Sequence, residues 1–265
     1  MNRGSGAGAG REYHLFMAEL VQSVAKAALI LGVFDRMNRL LTVREISART
    51  GIPRSTVHEI CRTLVASNLL EARSDGGLQL GIGLAMLGGQ VIERMGLVDA
   101  AQLPIQRHLD RLGVEVHVAA YIPGAVFYAY RKRAATRVST LNRTGRRWDI
   151  HSSACGRAVL ATMSPAARDS ELAPLVQGEE RERLDAELEV YTRHGFIVTD
   201  VSQKGLRSVA APVFDMTSLA IGAIGTADNV ASMDRQRVTE LGEAVRQAAL
   251  ETSRAMGWTG PAVPR

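Results

Sequence analysis

In the segment RSTVHEICR, Arg54, Ser55, His58 and Arg62 are spaced so that, at about 100° per residue, they fall on one face of a helix. Arginine offers a two-pronged donor that matches guanine O6 and N7, and short polar side chains reach bases or phosphates nearby. Ser55 and Thr56 suit phosphate or short base contacts, His58 either kind, and Arg73 further along can reach a phosphate. A second set surrounds Cys155. Ser153, Ala154 and Gly156 form a small-residue helix start whose free amides suit an anion. His151 stands four residues before the thiol, and a thiol at a helix start ionises more easily, so a nucleophile or a redox sensor is an alternative. Against an enzyme, the chain has no Gly-x-Ser-x-Gly elbow, no phosphate loop and no metal-ligand cluster among its six histidines. No catalytic residue, cofactor or metal is expected.

The first set needs a helix held at a fixed angle. Thr42 and Glu45 have the spacing of a capping box, and Leu41 and Ile46 can staple outside it. Gly51 can end that helix in the left-handed conformation, and Pro53 can open the next. Val57, Ile60, Cys61 and Leu64 then form the buried stripe opposite the polar face. A hairpin follows over residues 69–73 and 78–80, around a Ser-Asp-Gly-Gly turn. Any small helical subdomain has one polar face; here capping box, Gly-x-Pro turn, polar face and hairpin agree on a winged helix-turn-helix.

The 265 residues suggest about two domains, and 46% apolar composition suffices for ordinary cores. A formal charge of +5 permits a polyanionic partner without requiring one. The two cysteines, Cys61 and Cys155, lie in different expected domains, so a disulfide is not expected and a reducing cytoplasm fits. No signal segment is recognised, and the best apolar run, residues 27–33, is far short of the roughly 20 a membrane helix needs. A soluble, cytoplasmic protein with no membrane partner is expected.

The expected organisation is a flexible Gly-rich tail (1–12), a winged helix-turn-helix DNA-binding domain (13–81), a linker helix (82–103), an effector-binding and oligomerisation domain (104–257) and a tail (258–265). The first helix, over about 13–36, should bury Leu20, Val24, Ala27, Leu31 and Phe34. A second helical piece should run over about 97–112, with Pro104 marking a kink or restart. From Val114 strand-like runs joined at Pro123 and Gly124 begin, with a further strand over 136–141 and later strands over 196–199, 209–214 and 221–226. Helices are expected from the small-residue start at 152–153, over 179–194 and over 232–256. The second domain therefore reads as α/β of the α+β kind, with hairpin-linked strands in a mainly antiparallel sheet.

The segments GIPRSTVHEICRTLVASNLLEARSDGGLQLG, HSSACGRAVLA, and GLRSVAAPVFD followed by AIGAIG resemble, in this order, motifs of the IclR family of bacterial transcriptional regulators. The resemblance covers about residues 20–256. It implies an N-terminal winged helix, a linker helix and a C-terminal GAF-like domain that binds small organic effectors, often carboxylates. It also implies homodimers, often paired into homotetramers, on double-stranded operator DNA. Carried over by motif, the effector site would include Trp148, Ala154, Cys155, Asp200, Ser208, Gly225 and Ala227. Gln203 stands where the family usually has an acid, the segment between Asp200 and Gly205 looks shortened, and Leu78 replaces a commonly aromatic wing residue. Trp148 occupies an often aliphatic position, which suits a cyclic or aromatic acid. The expectation is a DNA-binding regulator controlled by such an effector. The alternatives are a thiol-responsive regulator using Cys155, or a DNA-binding module whose C-terminal domain only oligomerises.

Overall fold

The computed structural model describes residues 21–35, 38–134, 144–201 and 205–260. The expected N-terminal tail, the start of the first helix, the strand over 136–141 and Gln203 lie outside the described residues. The chain divides into two compact units, Met1–Val91 and Ile92–Arg265.

In the first unit, α1 (Gln22–Gly32), α2 (Val43–Thr50) and α3 (Arg54–Ala66) precede a hairpin of β1 (Leu70–Ala72) and β2 (Leu78–Leu80). The capping box forms: the Thr42 amide donates to Glu45 Oε2 at 2.8 Å, and Glu45 N donates to Thr42 Oγ1 at 3.3 Å. Gly51 ends α2 at φ 70°, in the left-handed region that favours glycine. Leu41 and Ile46 are both in the core, with Ile30, Ile52, Val57, Cys61, Leu64, Leu70 and Leu78. Leu41 also bridges to Leu78 through paired amide bonds of 3.0 and 2.8 Å, which ties the wing to the start of α2. Ala27, Leu31 and Phe34 of the expected first-helix stripe pack, partly buried, against this core; Val24, expected to be buried with them, is exposed, and Ile30 is the residue of α1 that is fully buried.

α4 (Ile82–Met95) is followed by α5 (Leu97–Leu109). The break falls at Gly96, at φ 63°, and Pro104 lies inside α5 without ending it. Leu97 and Ala101, expected in the linker, are instead in the core of the second unit.

The second unit continues with β3 (Val116–Ile122), β4 (Ala125–Lys132), β5 (Arg147–Asp149), α6 (Ala154–Leu160), α7 (Pro165–Leu172), α8 (Glu179–His194), β6 (Ile197–Val201), β7 (Leu206–Phe214), β8 (Ala220–Asn229) and α9 (Arg235–Ala255). α7 was not expected, although Ser164 caps it and Pro165 occupies its first turn. Its Glu171 accepts from Gly124 N at 2.6 Å and from the Tyr121 hydroxyl, clamping the β3–β4 turn.

Among the described residues six strands form one sheet in the order β5-β4-β3-β8-β7-β6, every pairing antiparallel. Side chains alternate across it. Val116, Val118, Val209, Ala211, Val213 and Ile224 meet α5 and α9 in one core. Ala119, Tyr128, Ile197, Ala210 and Ala223 meet α6, α7 and α8 in the other.

Candidate functional site

Two groups of residues stand out, one in each unit. On α3, Val57, Cys61 and Leu64 are buried while Arg54, Ser55, His58 and Arg62 are exposed, with Thr56 half-buried beside them. Burial pushes the Cys61 thiol up, so it is an apolar packing group. The first turn of α3 has no acidic residue. Arg73 follows β1, its guanidinium 4.0 Å from Glu71 and about half exposed. Such a surface pair is weak, and a phosphate can displace it. The unit thus presents a short polar and basic face with a hairpin beyond it, as entry into a major groove requires.

The second group lies on the α6 face of the sheet. Ser153 caps α6, its Oγ accepting from Gly156 N at 3.2 Å. Gly156 must lack a side chain, because a Cβ there would lie 2.0 Å from Ile150 O. Cys155 is buried against Gly225, where a Cβ would come within 2.9 Å of the thiol sulfur and 3.0 Å of Val209 O. Register puts Thr199, Ser208 and Ala227 in one cross-strand row, and Ile197, Ala210, Gly225 and His117 in the next. The result is a floor of small residues under the start of α6.

Polar groups are set into this floor. Thr199 and Ser208 are 4% and 2% exposed, and neither hydroxyl has a hydrogen-bond partner among the described residues. In the next row, His117 Nε2 lies 3.0 Å from Glu115 Oε1, while Arg131 Nη2 lies 2.7 Å from Glu115 Oε2. The Tyr128 ring packs edge-on against His117 at 5.6 Å, and Trp148 packs edge-on against Tyr128 at 6.4 Å.

The structure therefore brings together Ser153, Ala154, Cys155, Gly156, Ser208, Gly225 and Ala227. Trp148, on β5 four strand positions from Ser208, packs against the core cluster that holds Ala154 and Cys155. One residue of the expected set stands apart. Asp200 pairs with Arg207 through bonds of 2.6 and 2.7 Å, which hold its carboxyl below the usual range. That pair is one residue out of step with Thr199 and Ser208, so it faces the other side of the sheet. Thr199, Glu115, His117 and Arg131 were missed. Strand alternation could have found three of them: Glu115 and His117 alternate with Val114, Val116 and Val118, and Thr199 follows Ile197 by two. Arg131 is hidden by the bulge in β4, which breaks the alternation between Tyr128 and Tyr130.

Among the described residues no group of three or more His, Cys, Asp or Glu could hold a metal ion, and no helix is long and apolar enough to cross a membrane.

Residues 23–74 match the family described as "IclR helix-turn-helix domain", and residues 89–254 match "Bacterial transcriptional regulator IclR C-terminal". The chain is 25% identical to the HTH-type transcriptional regulator XynR of Escherichia coli, over 90% of this chain and 98% of that protein. It is 26% identical to the Pca regulon regulatory protein of Pseudomonas putida, over 84% of this chain and 79% of that protein. The fold matches the crystal structure of Thermotoga maritima IclR with a TM-score of 0.72 at 20% identity, covering 90% of this chain and all of that one. It also matches an IclR homologue of Microbacterium hydrocarbonoxydans complexed with 4-hydroxybenzoate, with a TM-score of 0.73 at 23% identity, covering 88% of this chain and 99% of that one.

Proposed function

This chain belongs to the IclR family of bacterial transcriptional regulators, and from that premise we propose that α3 reads operator DNA while a small aromatic or cyclic carboxylic acid, seated on the α6 face of the sheet, controls it. The observation that carries the effector reading is the pair of buried, unpartnered hydroxyls on Thr199 and Ser208. Buried polar groups are paired as a rule, and an exception beside a small-residue floor marks a place where another molecule supplies the partner. Two adjacent O–H donors suit a carboxylate. Ser153 already engages the Gly156 amide, so the hydroxyl pair rather than the start of α6 is the stronger candidate for the acid group.

The aromatic part of the reading rests on Tyr128 and His117, which reach the row containing Gly225; Trp148 supports that wall through Tyr128. The 4-hydroxybenzoate complex of the Microbacterium relative makes aromatic acids the first class to test. Cys155 is 3% exposed under this arrangement, which disfavours attack by an oxidant and with it the thiol-sensing alternative.

DNA reading by a pair of α3 helices requires a second copy. Val21, Val24 and Leu29 beside or on α1, and Ile82, Met86, Leu87 and Val91 on α4, are exposed apolar side chains. Seven such residues on or beside two helices are the surface expected at a homodimer contact, on which a homotetramer can be built. An operator-binding regulator of this kind works in the cytoplasm.

The test is a thermal-shift panel of benzoates and other small acids on the full chain. A ligand present at about 100 times its dissociation constant adds roughly 2.7 kcal/mol of stability. The combined substitution Thr199→Val and Ser208→Ala should abolish that shift. A flat response across the panel at saturating concentrations would remove the effector reading.

A further inference from the structure

On the α9 side of the sheet, opposite Thr199 and Ser208, a cleft of about 920 Å³ opens between the end of α8, the edge strand β6 and α9. A second hollow of about 440 Å³ shares Val198, Arg235 and Val238 with it, so the two run together along that edge. The larger cleft is of the size that holds small organic ligands. Its floor is apolar. Phe196 rests on α9 at Gly242, where a Cβ would come within 2.3 Å of the ring, and the His194 ring lies 5.6 Å from that of Phe196. Val198 continues the floor.

The charges around this floor do not cancel. Arg246 is almost fully buried and holds Glu243 through bonds of 2.7 and 2.9 Å, and Arg207 holds Asp200 in the same two-pronged way. Glu187, the remaining acid, pairs with Arg157. Each lining acid is thus neutralised by an arginine. Arg193 and Arg235 are left over, and their guanidinium groups have no partner among the described residues. Arg235 is the first residue of α9, where a cation is electrostatically unfavourable, so helix stability does not account for it.

We propose that this cleft is a second ligand site, for a small organic dianion with an apolar body. Arg193 and Arg235 take the charged group, and Phe196 and Val198 carry the body. A planar guanidinium matches the paired oxygens of phosphate and carboxylate equally, so the dianion is a phosphomonoester or a dicarboxylate. The site is independent of the effector reading, because the two lie on opposite faces of the sheet.

The full chain is titrated by calorimetry at low salt with phenyl phosphate and, separately, with phthalate. Saturable binding of either probe is expected, and the one that binds assigns the source of the charge. Arg193→Gln combined with Arg235→Gln should weaken binding about tenfold or more, while Arg193→Lys with Arg235→Lys retains much of it. Thr199→Val with Ser208→Ala should leave it unchanged. The proposal is overturned if neither probe saturates by about 10 mM. It is equally overturned if the double glutamine variant binds like the parent with its fold intact, or if the hydroxyl variant is the one that loses binding.

Discussion

Thr199 and Ser208 are direct cross-strand partners on β6 and β7, each nearly fully buried, and neither hydroxyl is hydrogen-bonded among the described residues. A buried polar group left unpaired costs about 1–3 kcal/mol. Thr199→Val keeps the shape and removes the group, so it should raise the stability of the ligand-free chain by about 1 kcal/mol in urea unfolding. A drop in stability would mean that the hydroxyl already has a partner.

Gly225 should not tolerate a methyl group. Its added Cβ would meet Cys155 Sγ at 2.9 Å, Val209 O at 3.0 Å and Ala210 Cβ at 3.1 Å. Gly225→Ala should cost about 1–3 kcal/mol through overpacking. Adding Cys155→Ala should recover part of that loss, read as a coupling energy in a double-mutant cycle. Strict additivity would show that the two residues do not press on each other.

The capping box gives the first unit an acid-sensitive element. Hydrogen bonds from the Thr42 amide and hydroxyl hold the Glu45 carboxyl below its usual range. A carboxyl whose folded value is depressed contributes stability above its unfolded value and loses it as pH falls through the folded one. Thr42→Ala should lower stability by about 1 kcal/mol at neutral pH. The gap to the parent should narrow on the acid side of the ordinary glutamate range, as followed by circular dichroism melts. A gap that widens in acid would contradict this.

If the exposed apolar residues of α1 and α4 meet a second copy, Met86→Glu with Val91→Glu should shift the chain toward monomer in light scattering, at unchanged helix content. Unchanged mass would place the contact elsewhere.

Much of the first unit was legible because its signals are local. Thr42 with Glu45, and Gly51 after Thr50, act within one turn of chain, and the structure has them as read. In α1 the helix period finds Ala27 and Leu31, which pack against the core, but not Ile30, whose full burial while Val24 stays exposed is set by tertiary packing. The start of α5 at Leu97 is as read, just after Gly96 in its left-handed conformation, while Pro104 is accommodated within a helix packed into a core. In the second unit the motifs pointed to the right strands but not to their faces. Asp200 and Ser208 both come from the family pattern, yet only the β6–β7 register tells that Thr199, not Asp200, shares a face with Ser208. Long-range register of this kind depends on strands being paired, which no short window of sequence encodes.

Control of α3 by a ligand on the α6 face is decided by measuring binding of the full chain to the DNA upstream of its own gene, across a salt series, with and without the acid that stabilises it. Tight, salt-dependent binding that this acid shifts is expected. Arg54→Ala and Arg62→Ala should each weaken that binding by about 1–3 kcal/mol, with the fold intact. Thr199→Val with Ser208→Ala should bind the DNA normally but ignore the acid. Arginine variants that bind like the parent, or DNA binding indifferent to every acid that stabilises the chain, would contradict it.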